Sequence, residues 1–391
     1  MLRGECLLGQ SIYVHIPFCA HICHYCDFNK VFLENQPVEA YLDALIEEMR
    51  VLRERQGDVP VRTVYIGGGT PTALTSFQLA RLLEKMHMLF SVQGVEEWTV
   101  EVNPDSADRE KLAVLHEYGV NRLSIGAQTF TPALLQEIGR SHSPESVKRA
   151  VETARSVGFT NVSLDLMLGL PNQTEADFSD SLEQALALGV EHISAYALKV
   201  EPKTIFFNRQ KKGTLPLPPE ETDVAMYHEL QRKTRAAGLV QYEISNFGKS
   251  GYESKHNLVY WHNEEYDGVG AGASGYEQGV RYQNIAPIQQ YIDAVWEKGV
   301  PRLQTHRVTR VEKLEEAAFL GLRKREGICK ADFAQAYGEP FTTLFREPVA
   351  TGIQKGLLEE THSHIRLSED GLLLGNEVFS LFIASLEDVD E

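Results

Sequence analysis

The sequence predicts an α/β protein: a partial, six-stranded (β/α)6 barrel followed by a mainly helical C-terminal region. Three observations carry this expectation. Short β-branched and aromatic runs alternate with helix-period segments over the first 200 residues, and regular βα alternation implies a parallel sheet or barrel. The chain has 391 residues, room for one barrel of up to roughly 250 residues and a smaller second part. Polar residues or glycines fall at the end of each of six strands, where barrels build their active sites.

The elements follow in order. Residues 11–16 read as the first strand. Residues 38–56 read as a helix, with Tyr41, Leu42, Leu45, Ile46, Met49 and Leu52 at helical spacing. The second strand, 63–66, stops at Gly67, Gly68 and Gly69. A helix over 76–90 takes Ser76 as its N-cap. Strand three is 97–102, and the helix 108–118 ends at Gly119. Strand four, 122–125, precedes a helix over 144–157 that ends at Gly158. Strand five, 161–166, is followed by the helix 175–188, and strand six, 192–198, by the helix 220–237. The Gly/Pro-rich stretch 211–219 reads as a surface loop. Residues 242–283 are rich in Gly, Tyr, Asn and Glu, with weak periodicity. Helices resume at 288–298, 313–322, 330–337 and 341–355, then a short strand at 364–367 and a final helix near 368–385. This divides the chain into a barrel over 1–235, a connecting region over 236–300 and a helical part over 301–391.

Composition excludes several function classes. Lys and Arg number 38 and Asp and Glu 55, a formal charge of −17. That argues against nucleic acid, which needs a basic footprint, and against a polybasic membrane anchor. The cysteines are Cys6, Cys19, Cys23, Cys26 and Cys329. An odd number in a chain of this size is no disulfide scaffold. With no signal-peptide core and no run of about 18 apolar residues, the expected setting is the reducing cytoplasm.

Three cysteines fall in one loop, Cys19-x3-Cys23-x2-Cys26. Such thiolates can converge on one inorganic centre. Structural zinc takes four protein ligands, so His21, His24 or a remote residue would complete a zinc site. A four-iron cluster is held by thiolates, and three of them leave one iron open to nitrogen and oxygen donors. The polar neighbours argue against three buried core thiols. Downstream, Gly68, Gly69 and Thr70, then Glu101, Gln128, Asp165 and Lys199 occupy successive strand ends. Glycines allow close backbone approach to a ligand, Arg140 suits a bidentate carboxylate, and Tyr13 faces either a cofactor or the core.

The cysteine spacing with the glycine loop behind it resembles the radical S-adenosylmethionine (SAM) superfamily, whose fold is a partial (β/α)6 barrel. The run Tyr13-Val-His-Ile-Pro-Phe-Cys19 and the loop Gly-Gly-Gly-Thr-Pro-Thr are similar to the oxygen-independent coproporphyrinogen III oxidase family. The resemblance implies a [4Fe–4S] cluster on Cys19, Cys23 and Cys26, with SAM on the open iron. Tyr13, Gly68 and Glu101 would serve that SAM. Gly69, Thr70, Gln128, Arg140, Asp165 and Lys199 would line the neighbouring site, where the oxidases hold a second SAM. A reduced cluster in this superfamily can cleave SAM to a 5′-deoxyadenosyl radical.

Two departures separate the chain from the oxidases. Phe28 stands where they carry a fourth cysteine, and their N-terminal arm has no counterpart before residue 11. Both features resemble the heme chaperones of the same family. The run His256-Asn257-Leu-Val-Tyr260-Trp261 matches the His-Asn-x-x-Tyr-Trp heme-binding motif of that branch. It implies His256 as iron ligand, with His262 an alternative, Tyr260 and Trp261 against the porphyrin, and Asn257 orienting the histidine. The expected function is a heme chaperone that delivers heme to acceptor hemoproteins, membrane-associated and respiratory. The alternative is an oxidative decarboxylase converting coproporphyrinogen III to protoporphyrinogen IX, and a third reading is a radical enzyme acting on another tetrapyrrole. Residues 256–266 offer a contact for a homodimer. Cys6 and Cys329 carry no assigned role.

Overall fold

The computed structural model describes residues 10–57 and 59–386; Cys6 lies outside them. The chain opens with β1 (Gln10–Ile16), then β2 (Phe18–Cys19) and β3 (Val31–Phe32), which bracket the cysteine loop. There follow α1 (Val38–Gln56), β4 (Val61–Gly68), α2 (Ser76–Leu89), β5 (Glu97–Val102), α3 (Arg109–Glu117) and β6 (Arg122–Gln128). Next come α4 (Pro132–Glu137), α5 (Pro144–Val157), β7 (Val162–Leu168), α6 (Glu175–Ala187), β8 (His192–Ala197), α7 (Ile205–Lys211) and α8 (Glu220–Ala236). The six central strands are parallel neighbours in chain order, β1-β4-β5-β6-β7-β8.

Both edges of this sheet are extended by the segment whose periodicity is weak. β9 (Val240–Gln241) and β10 (Asn246–Gly248) add antiparallel strands beyond β8. After α9 (Lys255–Trp261), β11 (Asp267–Val269) joins β1 in parallel. These strands are two or three residues long, too short for alternation to show. β12 (Ser274–Glu277), β13 (Val280–Asn284), α10 (Ile288–Lys298) and β14 (Arg302–Arg307) follow, and β12-β13-β14 form a separate antiparallel sheet.

The remainder comprises α11 (Arg310–Gly321), β15 (Ile328–Cys329), α12 (Lys330–Tyr337), α13 (Phe341–Leu344) and α14 (Arg346–Gln354). It ends with β16 (Leu358–Glu360), β17 (His364–Leu367), α15 (Glu369–Leu373) and α16 (Gly375–Ser380). Its short strands form one small sheet, β15-β17-β16. The helix expected over 341–355 is broken at Phe345. Pro348 has no N–H for the Leu344 carbonyl and its ring would clash there. The final expected helix is broken at Leu374, which has φ −107° and ψ 28°.

Two large apolar clusters hold these parts together. One runs from Ile12 to Val295 and includes the strand faces, α1 and Tyr291 of α10. The other joins Leu314 to Phe382 around Phe333, Phe341 and Phe345. Helix starts are set by local chemistry. Thr75 rather than Ser76 caps α2, in a reciprocal box with Gln78, and Ser143 and Thr174 cap α5 and α6 the same way. No helix among the described residues is long and apolar enough to cross a membrane.

Candidate functional site

A cavity of about 410 Å³ opens at the C-terminal ends of the parallel strands. All three loop cysteines line it, with Gly68, Gly69, Thr70, Glu101, Gln128, Arg140, Asp165 and Lys199. The loop is fixed at several points. β2 pairs with β3 at its base. The His24 amide donates to the Ile138 carbonyl at 3.0 Å, and its Nδ1 lies 2.8 Å from the Glu137 carbonyl. The His24 ring packs so closely on Gly139 that a Cβ there would lie 2.8 Å from it. His24 therefore anchors the loop to α4. Among the described residues, no group of three or more His, Cys, Asp or Glu is gathered tightly enough for a single metal ion.

The thiols themselves suit a cluster. Cys19, Cys23 and Cys26 are free of disulfides. Burial pushes the Cys19 thiol up and that of Cys26 to about 11, while Lys30 opposes the rise at both and Arg140 at Cys19. Metal binding has to expel these protons, and the two cations favour the thiolates that remain. The Thr70 hydroxyl donates to Cys19 Sγ at 3.6 Å.

The glycine loop serves the protein's own packing first. A Cβ on Gly67 would lie 2.8 Å from the Glu101 carboxyl carbon and from the Tyr65 ring. One on Gly68, at φ +112°, would meet the His15 ring at 2.4 Å, and one on Gly69 the Phe18 carbonyl at 2.8 Å. The amides of Gly68, Gly69 and Thr70 donate to Glu101 Oε2, the Ile16 carbonyl and the Phe18 carbonyl. Those three amides are thus spent internally.

Glu101 and Asp165 face each other's field inside the barrel. Glu101 accepts from the Tyr65 hydroxyl at 2.8 Å and the Gly68 amide at 3.0 Å, yet burial and then Asp165 push its carboxyl up to about 7. Asp165, also raised by burial, accepts from Ser124 at 3.0 Å. The Arg140 guanidinium lies against Gly126, where a Cβ would be 3.0 Å from its Nη2, and donates to the Tyr25 hydroxyl at 3.4 Å. Gln128 adopts φ 66°, turning the chain at the end of β6. Lys199 is at the rim, with 81% of its side chain exposed and an ion pair to Glu201. Tyr13 stands apart from the lining. Its hydroxyl lies 2.9 Å from His15 Nδ1 and its ring stacks on Tyr65, so it backs the wall rather than forming it.

Sequence reasoning missed Tyr65, Arg122, Ser124, Met167, Ser194 and Tyr196, all on the lining. Strand period could have found them. Ser124, Gly126 and Gln128 alternate along β6, as do Asp165 with Met167 and Ser194 with Tyr196.

The motif helix α9 lies under the opposite ends of the strands. Glu97, at the start of β5, accepts from the Lys255 amide at 2.9 Å, the His256 amide at 3.0 Å and the Ser254 hydroxyl at 3.3 Å. His256 is fully buried. Its Nδ1 sits 2.9 Å from Thr63 Oγ1 and its Nε2 2.9 Å from the Tyr260 hydroxyl. Burial, then Arg62 and Arg122, lower its pKa to about 3, so the ring is neutral. In this structure both ring nitrogens are engaged, one with Thr63 and one with Tyr260. Asn257 reaches the barrel cavity from below. Trp261 lies under the Arg323 guanidinium, 4.4 Å from ring centre to cation. His262 is half-exposed beside Glu264.

A cysteine loop and a glycine loop at adjoining strand ends, over a polar barrel lumen, define a radical SAM protein. Residues 13–185 match the Radical SAM superfamily and residues 308–374 match the HemN C-terminal domain. The structure superposes on coproporphyrinogen III oxidase (HemN) from Escherichia coli with a TM-score of 0.85, covering 97% of this chain and 91% of that one at 25% identity. The chain is 49% identical to the heme chaperone HemW of Bacillus subtilis over 96% of its length and all of the relative's. It is 42% identical to HemW of Lactococcus lactis over 97% of its length and 98% of the relative's. A mitochondrial radical S-adenosyl methionine domain-containing protein 1 of Mus musculus is 33% identical over 97% of this chain and 88% of that one. The chain belongs to the heme chaperone HemW family.

Proposed function

We propose that the protein binds heme and passes it to acceptor hemoproteins, including membrane-associated respiratory ones, from the reducing cytoplasm. Cys19, Cys23 and Cys26 would hold a [4Fe–4S] cluster at the cavity mouth. Gly68 and Glu101, backed by Tyr13, would hold SAM against it, and Gly69, Thr70, Gln128, Arg140, Asp165 and Lys199 would line the space beyond. In this reading residues 1–235 carry the cluster and SAM, 236–300 the heme motif, and 301–391 the remaining helices. The cluster, when bound and reduced, supplies an electron that can break a carbon–sulfur bond of SAM. This chain's residues would bind, orient and neutralise charge: ionised Glu101 would face the SAM cation, and Arg140 would offer its guanidinium to a carboxylate in the space beyond.

The observation that carries the reading is the whole-chain similarity to proteins described as heme chaperone HemW. Phe28, 61% exposed at the cavity edge, supports a chaperone over an oxidase, because it offers no thiol where the oxidases carry one. The test is anaerobic reconstitution with iron and sulfide, followed by hemin titration and, in parallel, incubation with SAM, reductant and coproporphyrinogen III. We expect cluster loading and a saturable Soret band without carbon dioxide release. Loss of propionate carboxyls over repeated turnovers would replace the chaperone with the decarboxylase. A homodimer belongs to the same reading, and sedimentation of the reconstituted protein tests it.

A further inference from the structure

Around the end of β8 the chain reverses its charge. Residues 192–219 hold five cations, Lys199, Lys203, Arg209, Lys211 and Lys212, against one carboxylate, Glu201, in a protein of charge −17. Two of the five are paired, Lys199 with Glu201 and Arg209 with Glu137. Lys203, Lys211 and Lys212 are exposed and form no ion pair among the described residues. Lys211 lies over the Phe207 ring, 4.5 Å from its centre. Between these cations in the chain, Ile205 is 47% exposed.

This segment is built onto the cysteine loop. The Phe206 amide donates to the His24 carbonyl at 3.1 Å, and the two rings meet edge-on with 6.0 Å between centres. Phe206 belongs to a small apolar cluster on which Leu198, Val200 and Tyr25 also pack. Tyr25 stands between Cys23 and Cys26, and Lys199 lines the cavity that all three thiols line. The unpaired cations of α7 and its flanks therefore adjoin the place where the thiols gather.

We propose that this basic segment is the docking surface of a small acidic electron-carrier protein, which delivers an electron to the cluster across the cysteine loop. The inference rests on the cluster reading above. One electron leaves the carrier, which is oxidised, and enters the cluster, which is reduced; no bond forms or breaks. Electron-transfer encounters are small, below roughly 1,200 Å², and charge complementarity speeds and orients them. The net charge of the chain repels an acidic carrier and this segment attracts it, so the protein's own field aims the carrier at the cysteine loop. Ile205 supplies the apolar centre that such a contact needs inside its polar rim. An anionic bilayer fits less well, because it extends past the segment and meets the carboxylates of the rest of the chain.

The test uses the full-length protein reconstituted with iron and sulfide, and an acidic flavodoxin as the carrier. Lys203→Glu combined with Lys212→Glu reverses two charges and leaves the Lys211–Phe207 contact in place. Ile205→Asp is a separate variant that sets a carboxylate at the apolar centre. Calorimetric affinity and stopped-flow reduction are measured at about 50 and about 300 mM salt. Wild type should bind flavodoxin about tenfold more weakly at the higher salt, and at low salt each variant should bind it, and be reduced by it, about tenfold less well than wild type. Iron content and reduction by photoexcited deazariboflavin, a small neutral reagent, should match wild type in both variants. Flavodoxin reduction of both variants at the wild-type rate overturns the docking surface, as does a wild type that binds no flavodoxin. Binding of phosphatidylglycerol vesicles by wild type but by neither variant, with no flavodoxin bound, assigns the segment to a membrane instead. If wild type retains no iron or sulfide, the cluster reading falls, and flavodoxin affinity alone then decides the docking.

Discussion

Glu101 holds its carboxyl near neutral pH because the barrel lumen strips its water and Asp165 adds a like charge. A cationic SAM prefers the ionised form. SAM affinity should therefore rise as pH increases through about 7 and level off above it. Calorimetric titration between pH 6 and 8 measures this, and Glu101→Gln should bind more weakly with a flat profile. A wild-type profile as flat as the variant's would remove Glu101 from the site. His256 is the opposite case. Its folded-state pKa of about 3 lies below the ordinary histidine value of 6.5, so its contribution to stability is complete above 6.5 and lost as pH falls toward 3. His256→Ala should cost about 2 kcal/mol in urea unfolding, because Thr63 and Tyr260 lose a buried partner. A stable variant that only loses its Soret shift would assign His256 to the heme iron.

At the scale of elements, the six parallel strands and the long helices were legible because their periods are strong. Residues 38–56, 97–102, 144–157 and 330–337 were read with the bounds observed. The short pieces were not legible. The seven residues of α9 span about two turns, and an isolated helix of that length does not hold itself together. It exists because the Glu97 carboxylate, 158 residues upstream of Lys255, accepts its first amides. Glu97→Gln keeps the shape and removes the charge. We expect a loss of about 1 kcal/mol and faster amide exchange over 258–262, with exchange in α10 unchanged.

At the scale of the whole molecule, the cysteine loop joins elements distant in sequence: its base pairs across β2 and β3, and His24 ties it to α4. Cys26→Ala should remove most bound iron and sulfide, while circular dichroism stays that of the wild type, because the apolar clusters hold the barrel without the loop thiols. Undiminished iron content would exclude Cys26 as a ligand.

The sequence by itself determined the six barrel strands, the spacing of the three thiols and the polar residues at the strand ends, since each is a local pattern of period or spacing. It also carried the resemblance to the heme chaperones. Only the tertiary structure decided which groups are free to act. His256 and the glycine-loop amides look available in the chain, and folding engages them with Thr63, Tyr260, Glu101 and β1-loop carbonyls. Arg323 looks like an ordinary surface cation, and folding places it against the Trp261 and Phe379 rings at the edge of a groove. Hydrogen-bond saturation and burial depend on partners tens to hundreds of residues away, and no local pattern records them.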